Sequence, residues 1–165
     1  MSLLITGGLG FLGQQAARHF LRRGVVWAPQ YRAAVPLERV TLFDVALPDR
    51  PLPVDLTTDD RVRIMTGDLT EMGVAAEVVE DDSLSVIHLA SMVSGDTEAD
   101  HLRGWQVNVE GQRSLLEALR TRAPGARFLF TSSTAAFGPV TEDDPDAGDG
   151  TKLLPQNTCA ATRVP

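Results

Sequence analysis

Three glycines near the amino end have the spacing of a phosphate-binding turn. Gly7, Gly10 and Gly13 follow an apolar run at residues 2–6 and precede a segment in which apolar residues recur at helical spacing. Glycine lets backbone N–H groups approach a diphosphate closely, and the start of a helix adds a favourable dipole. With a strand before and a helix after, the spacing predicts a dinucleotide-binding turn. The alternative is a glycine turn that binds nothing.

Asp44 is a candidate for recognising a ribose. It closes the apolar run Val40–Phe43, and in a dinucleotide fold a carboxylate there accepts hydrogen bonds from ribose hydroxyls and repels a 2′-phosphate, favouring NAD over NADP. It lies further from Gly13 than the roughly 20 residues that are usual. We expect a proline-containing loop over 27–37 to absorb the difference. The alternative is a plain turn aspartate.

Asp68 follows one predicted strand, and His88 lies within another. Asp68 and Glu71 have the spacing of a helix capping box, which we favour; a carboxylate at this sheet edge can also accept a hydrogen bond from an adenine amino group, and both roles can hold. His88 lies within an apolar run, so we predict a hydrogen-bonded core histidine. The three histidines have no metal-ligand spacing, and we predict no metal site.

A hydroxyl-rich segment follows the last predicted strand. It consists of Thr131, Ser132, Ser133 and Thr134. Open α/β sheets bind ligands at the carboxyl ends of their strands, where a hydroxyl can hold a substrate oxygen. A hydroxyl-rich turn without a ligand is an equally good interpretation.

Five apolar runs, separated by helical patterns, would position these residues. We predict strands at 2–6, 40–44, 61–65, 85–90 and 127–131 and loops at 27–37 and 139–151. The predicted helices lie at 12–23, which Gly24 ends, at 74–79 and at 104–122. Near-continuous apolar strands indicate a parallel sheet covered on both faces, and right-handed crossovers make it a doubly wound α/β sheet.

Composition excludes several classes of protein. The 165 residues carry a formal charge of −7, which argues against nucleic acid or an anionic membrane as a partner. The single cysteine, Cys159, excludes an intramolecular disulfide and a CxxC metal site. No apolar run is long enough to span a membrane and no signal peptide is visible, so we expect a soluble cytoplasmic protein.

Several short strings appear together in the order of one known family. They are Ile5–Gly13, Gly67–Leu69, His88–Ala90, Asn108–Gly111 and Phe130–Ser133. Together they resemble the extended short-chain dehydrogenase/reductase family, the NAD-dependent epimerase/dehydratase group. The segments 93–100 and 104–108 resemble its D-erythronate-like branch, whose members oxidise a secondary alcohol of a sugar acid with NAD.

The resemblance implies a Rossmann fold and a set of site residues. An NAD-binding domain would occupy residues 1–138, followed by an acidic loop and tail over 139–165. The implied NAD contacts are Gly7, Gly10, Phe11, Leu12, Gly13, Asp44, Asp68, Leu69, Ala90, Ser91 and Asn108. Ser133 would bind the substrate oxygen, and a homodimer is implied through the helices.

One departure concerns the proton-transfer pair. The family uses a tyrosine and, four residues later, a lysine, and these positions fall on Cys159 and Arg163. Tyr31, the single tyrosine, lies in an early loop and cannot substitute. A thiol reaches less far than a phenol, so we expect impaired catalysis and leave open whether the chain is an enzyme.

A second departure concerns length. Family members continue through the tyrosine-bearing helix, a further strand and a substrate-binding lobe, so we expect a fold that is incomplete at the carboxyl end. Three interpretations stay open: a dehydrogenase by lineage, a non-catalytic dinucleotide-binding module, and a truncated product that needs a partner to cover its sheet edge.

Overall fold

A five-stranded parallel sheet organises the chain. The computed structural model describes residues 1–28, 32–80, 84–139, 148 and 150–164. The strands in chain order are β1 (Ser2–Thr6), β2 (Val25–Ala28), β3 (Ala33–Pro36), β4 (Arg39–Asp44), β5 (Val62–Thr66), β6 (Leu84–His88) and β7 (Arg127–Phe130). The sheet order is β5-β4-β1-β6-β7, with every pair parallel. The five predicted strands and the doubly wound sheet are therefore confirmed.

Helices cover both faces of this sheet. They are α1 (Phe11–Arg23), α2 (Val54–Thr57), α3 (Val74–Val78), α4 (Ser94–Ala99), α5 (His101–Trp105), α6 (Gln112–Arg122) and α7 (Thr158–Ala161), with a π-helical segment at Gln106–Gly111 and a 3₁₀ turn at Thr134–Phe137. No helix within the described ranges has the length and apolar character needed to cross a membrane.

The central strand β1 contributes side chains to two separate cores. All five of its residues are buried, and successive side chains of a strand point to opposite faces. Leu4 packs with α3 and α6 on one face. Leu3 and Ile5 pack on the other with α1 and with Leu56 of α2. Burial on both faces explains why β1 is apolar without alternation.

The predicted loop over 27–37 is wrong for most of its described residues. Val25–Ala28 and Ala33–Pro36 pair as an antiparallel hairpin, in register from Val25 opposite Pro36 to Ala28 opposite Ala33. Proline suggested a loop, but Pro36 occupies the end of β3, where a missing N–H is tolerated. Residues 29–31, including Pro29 and Tyr31, lie outside the described residues. The hairpin accounts for the long spacing between Gly13 and Asp44.

The predicted helix over 104–122 also needs correction. The single helix over 104–122 is α5, the π-helical segment and α6, which starts earlier and is not uniformly α-helical. The short helices α2, α4 and α7 were not predicted, because four to six residues give too little apolar periodicity. Most of the predicted loop at 139–151 lies outside the described residues.

Candidate dinucleotide-binding site

A cavity of about 400 Å³ opens at the carboxyl ends of β1, β4, β5 and β6. Seven of the residues predicted to bind a dinucleotide line it: Gly7, Gly10, Asp44, Asp68, Leu69, Ala90 and Ser91. Four separate strand ends supply them, because parallel strands all end at the same sheet edge. Arg103, which no sequence pattern singled out, also lines the cavity.

Three of the four glycines in the turn are required by the packing of the chain. Gly7 has a φ of +66°, and a Cβ there would lie 2.8 Å from the Ala90 nitrogen. A Cβ on Gly8 would lie 2.6 Å from the Ile5 carbonyl oxygen. A Cβ on Gly13 would lie 2.4 Å from the Gly7 carbonyl oxygen. These three positions therefore bring the turn, β1 and α1 into direct backbone contact.

Gly10 differs from the other three. A Cβ on Gly10 would have one neighbour, the Gly7 carbonyl oxygen at 3.3 Å, and Gly10 lines the cavity. It is also the N-cap of α1, whose first turn carries no acidic side chain. The N–H groups of the first helical turn have no carbonyl partner within the helix. The bare start of α1 can therefore accept an anion at the cavity wall.

Phe11 and Leu12, two of the residues predicted to bind a dinucleotide, do not line the cavity. Their side chains are 78% and 63% exposed, so the predicted contribution of these two residues and of Gly13 rests on their N–H groups.

Asp44 is fixed against the glycine turn. The Leu9 N–H donates to its Oδ2 at 3.1 Å, and the Val45 N–H donates to its Oδ1 at 2.9 Å. Asp44 is half-buried and lines the cavity. A carboxylate oxygen can accept more than one hydrogen bond, so both oxygens keep capacity for a ligand hydroxyl.

The Asp68 carboxylate accepts hydrogen bonds from two residues and does not cap a helix. The Thr70 N–H and hydroxyl donate to its Oδ1 at 2.9 and 2.7 Å, and the Arg103 guanidinium donates to its Oδ2. Burial opposes ionisation, but the hydrogen bonds from Arg103 and Thr70 outweigh it and lower the pKa of the Asp68 carboxyl. The predicted capping box with Glu71 is wrong, because the next helix, α3, begins at Val74 after Gly73.

His88 is a buried core histidine, as predicted. It is 2% exposed, and its Nδ1 lies 2.6 Å from the Thr6 hydroxyl oxygen. The Thr6 hydroxyl also accepts the Ala90 N–H at 3.3 Å, so it connects the imidazole to the backbone after β6. Burial, with a smaller contribution from the positive charge of Arg163, lowers the pKa of His88 to about 4. His88 is therefore neutral and supports the loop after β6.

Asn108 lies behind the cavity wall and does not line it. Its Oδ1 accepts the Met92 N–H at 2.8 Å, and its Nδ2 donates to the Met92 carbonyl at 3.2 Å and to the Thr162 hydroxyl at 3.0 Å. Met92 itself lines the cavity. The buried amide therefore connects the cavity wall to α7.

The three predicted catalytic residues do not line the cavity. Ser133 Oγ accepts the Ala135 N–H at 3.2 Å and caps the 3₁₀ turn. Cys159 is buried in α7, with its Sγ 3.9 Å from the Met92 carbonyl oxygen. The Ser133 hydroxyl is therefore used as a cap, and the Cys159 thiol is enclosed by the protein.

Arg163 lies at the end of β7. Its Nη2 donates to the Thr131 hydroxyl at 3.3 Å, and its guanidinium carbon lies 5.5 Å from the centre of the Phe130 ring. Its Nε has no hydrogen-bond partner among the described residues, and burial lowers the pKa of the guanidinium. The structure therefore brings Arg163 to the predicted hydroxyl segment, where it contacts Thr131 and Ser132.

Comparison with known families decides the classification. The profile of the NAD dependent epimerase/dehydratase family matches residues 3–164. The chain belongs to this family. Within it, a D-erythronate dehydrogenase from Cupriavidus necator is 41% identical over 162 residues, covering 96% of this chain and 46% of that enzyme.

Solved structures of epimerases and dehydratases share the fold. A nucleoside-diphosphate-sugar epimerase from Agrobacterium tumefaciens superposes with a TM-score of 0.80 at 28% identity, covering 99% of this chain and 45% of that one. DesIV, a dTDP-glucose 4,6-dehydratase from Streptomyces venezuelae solved with NAD bound, gives 0.78 at 26% identity, covering 99% and 48%. The chain spans about half the length of the relatives it matches.

The epimerase/dehydratase family assignment agrees with the architecture. A parallel sheet with helices on both faces and a glycine turn after β1 is the Rossmann arrangement, as the resemblance implied. No group of three His, Cys, Asp or Glu side chains in the described part of the chain is arranged to hold a metal ion.

Proposed function

We propose that this chain binds NAD in the cavity at the carboxyl ends of β1, β4, β5 and β6, as the dinucleotide-binding half of a sugar-acid dehydrogenase lineage. The observation that carries the proposal is the convergence of Gly10, Asp44 and Asp68 on one cavity. These residues are separated in sequence, and each presents a group that suits a different part of a dinucleotide.

The diphosphate is assigned to the start of α1. Gly10 fits this group because a side chain there would meet little protein and would instead occupy the cavity. The unpaired N–H groups of Phe11, Leu12 and Gly13 supply hydrogen bonds, and the helix dipole favours negative charge. The absence of a side chain at Gly10 therefore serves the ligand.

The adenosine ribose is assigned to Asp44. Its carboxylate is held by the N–H groups of Leu9 and Val45, and it accepts hydrogen bonds from ribose hydroxyls. A 2′-phosphate would bring a second anion next to this carboxylate, so we expect NAD to bind more tightly than NADP.

The adenine is assigned to Asp68 and Leu69. An ionised carboxylate is a hydrogen-bond acceptor, which suits the donor N–H of the adenine amino group. Leu69 lines the same cavity and offers an apolar surface to the ring. Ala90 and Ser91, which follow β6, line the same cavity. Asn108 acts indirectly, because it holds Met92.

The substrate class is proposed from the relative named D-erythronate dehydrogenase, and we propose a sugar acid. Bound NAD would supply the hydride acceptor, and the protein must then take the proton of the substrate hydroxyl. The implied positions hold Cys159 and Arg163. The Cys159 thiol is buried against Met92 rather than exposed in the cavity.

The buried position of the Cys159 thiol favours the interpretation of the chain as a non-catalytic dinucleotide-binding module. Asp44, Asp68 and Arg103 are the ionisable side chains among the described residues that line the cavity, and all three are hydrogen-bonded at the adenosine end as we assign it. We therefore propose a chain that binds NAD and transfers the substrate proton poorly.

One preparation tests both parts. NADH and NADPH are titrated by fluorescence, and D-erythronate oxidation is then followed through NADH formation. Binding of NADH in preference to NADPH, with little or no turnover, is the expected result. Absence of NADH binding would overturn the cofactor proposal, and rapid turnover would overturn the assignment of poor proton transfer to Cys159 and Arg163.

Two expectations stay predictions. A homodimer formed through the helices is tested by light scattering of the purified chain. A cytoplasmic location is tested by cell fractionation.

A further inference from the structure

We propose that Arg103 is a positioning residue for the adenine end of the cavity, where it fixes the Asp68 carboxylate and so favours a 6-amino purine over a 6-oxo purine. This inference rests on the proposed function, since it concerns the same cavity. Arg103 has no counterpart in the motifs that led to the NAD assignment.

The first support is geometric. The Arg103 guanidinium donates from Nη2 to Asp68 Oδ2 and from Nη1 to the Thr70 hydroxyl oxygen, the latter at 3.2 Å. The Thr70 hydroxyl in turn donates to Asp68 Oδ1. The three side chains thus form a closed ring of hydrogen bonds, and all three line the cavity.

The second support is the rigidity of the element that carries Arg103. Its backbone N–H donates to the Asp100 carboxylate at 2.9 Å, which caps α5. The next residue, Gly104, packs so closely on the fully buried Thr97 that a Cβ would lie 2.4 Å from its Cγ2. Because the backbone is fixed on both counts, the guanidinium reaches Asp68 from a defined position.

The third support is the hydrogen-bond capacity that remains. Oδ1 accepts two donors from Thr70, and Oδ2 accepts from Arg103. Oδ2 can accept one more donor. A 6-amino group supplies such a donor, whereas a 6-oxo group presents an acceptor to an acceptor. A site built around a hydrogen bond rejects the ligand that cannot make it.

A role in surface stability alone is the competing explanation. Exposed ion pairs contribute little, and the Arg113–Glu110 pair, with side chains 70% and 42% exposed, is of this kind. The Asp68 and Arg103 side chains are 19% and 37% exposed and face the cavity. The Arg113 pair therefore offers a matched control.

The test compares NADH with its hypoxanthine analogue, which carries a 6-oxo group. For the unmodified chain we expect NADH to bind at least about 10-fold more tightly than the analogue, and for Arg103→Met we expect that preference to fall below about 3-fold. Arg103→Lys restores the charge without the planar fork, and we expect an intermediate preference. Arg113→Met should behave as the unmodified chain.

A pH series adds an independent readout. Arg103→Met removes one of the groups that lower the Asp68 pKa. As the pH is lowered, the NADH affinity of this variant should therefore begin to fall at a higher pH than that of the unmodified chain. A merely structural role would change stability without moving this midpoint.

The outcomes separate the two proposals. Unchanged preference and pH midpoint in both Arg103 variants, with NADH still bound, would overturn this inference and leave the cofactor assignment intact. An equal loss in Arg113→Met would also overturn it, because the effect would then be one of charge in general. Failure of the unmodified chain to bind NADH would overturn the cofactor assignment and this inference together.

Discussion

The two sides of the sheet's carboxyl edge use their polar groups differently. At the ends of β1, β4 and β5, Gly10, Asp44 and Asp68 present groups to an open cavity. At the end of β7, Ser133 caps a 3₁₀ turn and Cys159 is buried in α7. The polar groups of the first side face a cavity, and those of the second side are used within the protein.

The difference shows that a family match along the chain does not carry equal functional content at every motif. The family profile covers residues 3–164, so both sides belong to the family. A binding group needs spare hydrogen-bond capacity at a surface that a ligand can reach. Asp44 and Asp68 meet this condition, whereas the Cys159 thiol does not.

The largest effect on NADH affinity should come from a substitution that fills the cavity at the start of α1. Gly10→Val places a branched side chain where one protein atom lies nearby, so the chain should fold while the space for the diphosphate is lost. We expect NADH affinity to fall by at least about 100-fold in a fluorescence titration.

Gly125→Val is the matched control for this change. Gly125 lies between α6 and β7, where a Cβ would meet no atom within 4 Å. This variant should bind NADH as the unmodified chain does. Tight binding by Gly10→Val would remove the start of α1 from the proposed site.

The next effect concerns His88, which lies between the two sides. Its pKa is lowered from 6.5 to about 4, so the unfolded chain binds more protons than the folded chain between these values. The free energy of unfolding should therefore fall as the pH falls from about 6.5 to about 4, by on the order of 3 kcal/mol. Urea unfolding across this pH range measures it.

His88→Gln should flatten that pH dependence, because an amide does not titrate but can still form a hydrogen bond with the Thr6 hydroxyl. His19→Gln, at an exposed position of α1, should leave the dependence unchanged. A slope that persists in His88→Gln would assign the acid sensitivity to other groups.

A smaller effect should separate NADH from NADPH. Asp44→Asn keeps an oxygen for the Leu9 N–H but removes the negative charge that would face a 2′-phosphate. We expect the preference for NADH over NADPH to fall by about 10-fold. Paired titrations of the two cofactors measure this ratio.

Asp55→Asn is the control, since Asp55 pairs with Arg18 and does not line the cavity. Its ratio should match that of the unmodified chain. An unchanged ratio in Asp44→Asn would place the ribose elsewhere.

The smallest effect on NADH affinity should come from a substitution near the end of β7. Cys159→Ala removes a buried thiol whose nearest polar partner is 3.9 Å away, so NADH affinity should stay within about twofold of the unmodified value. Gly10→Val serves as the positive control in the same titration. A loss beyond about 10-fold would show that the side chain of residue 159 contributes to the cofactor site.

The sheet and the positions of Asp44 and Asp68 at its edge were predictable because their signals are local. Buried parallel strands are continuous apolar runs, as β1 shows, and Asp44 and Asp68 directly follow such runs. The chain direction of a parallel strand then places their side chains at one edge. No knowledge of distant contacts was needed.

Other features depend on contacts between distant parts of the chain. Arg103 reaches Asp68 from α5, which follows the next strand, β6, and no spacing rule connects the two residues. The segment 94–99 is helical although its described buried side chain is the polar Thr97. Asp68 and Glu71 matched a capping pattern by residue type, but Asp68 bonds to Thr70 within a turn.

Asn108 is a further residue whose role depends on a contact between distant parts of the chain. The family resemblance implied that it contacts NAD, and the structure shows its amide bonded to the N–H and the carbonyl of Met92. Such a contact across the loop after β6 leaves no trace in local composition.

The four glycines of the first turn divide into two kinds, and this has a consequence for how such motifs are interpreted. Gly7, Gly8 and Gly13 would clash with the chain's own backbone if they carried a side chain, whereas Gly10 would not. A protein that never met a nucleotide would still need the first three in order to fold this way. Three of the four glycines in such a pattern therefore indicate the architecture. Gly10, which a larger residue could replace without harm to the fold, is the one that indicates a ligand.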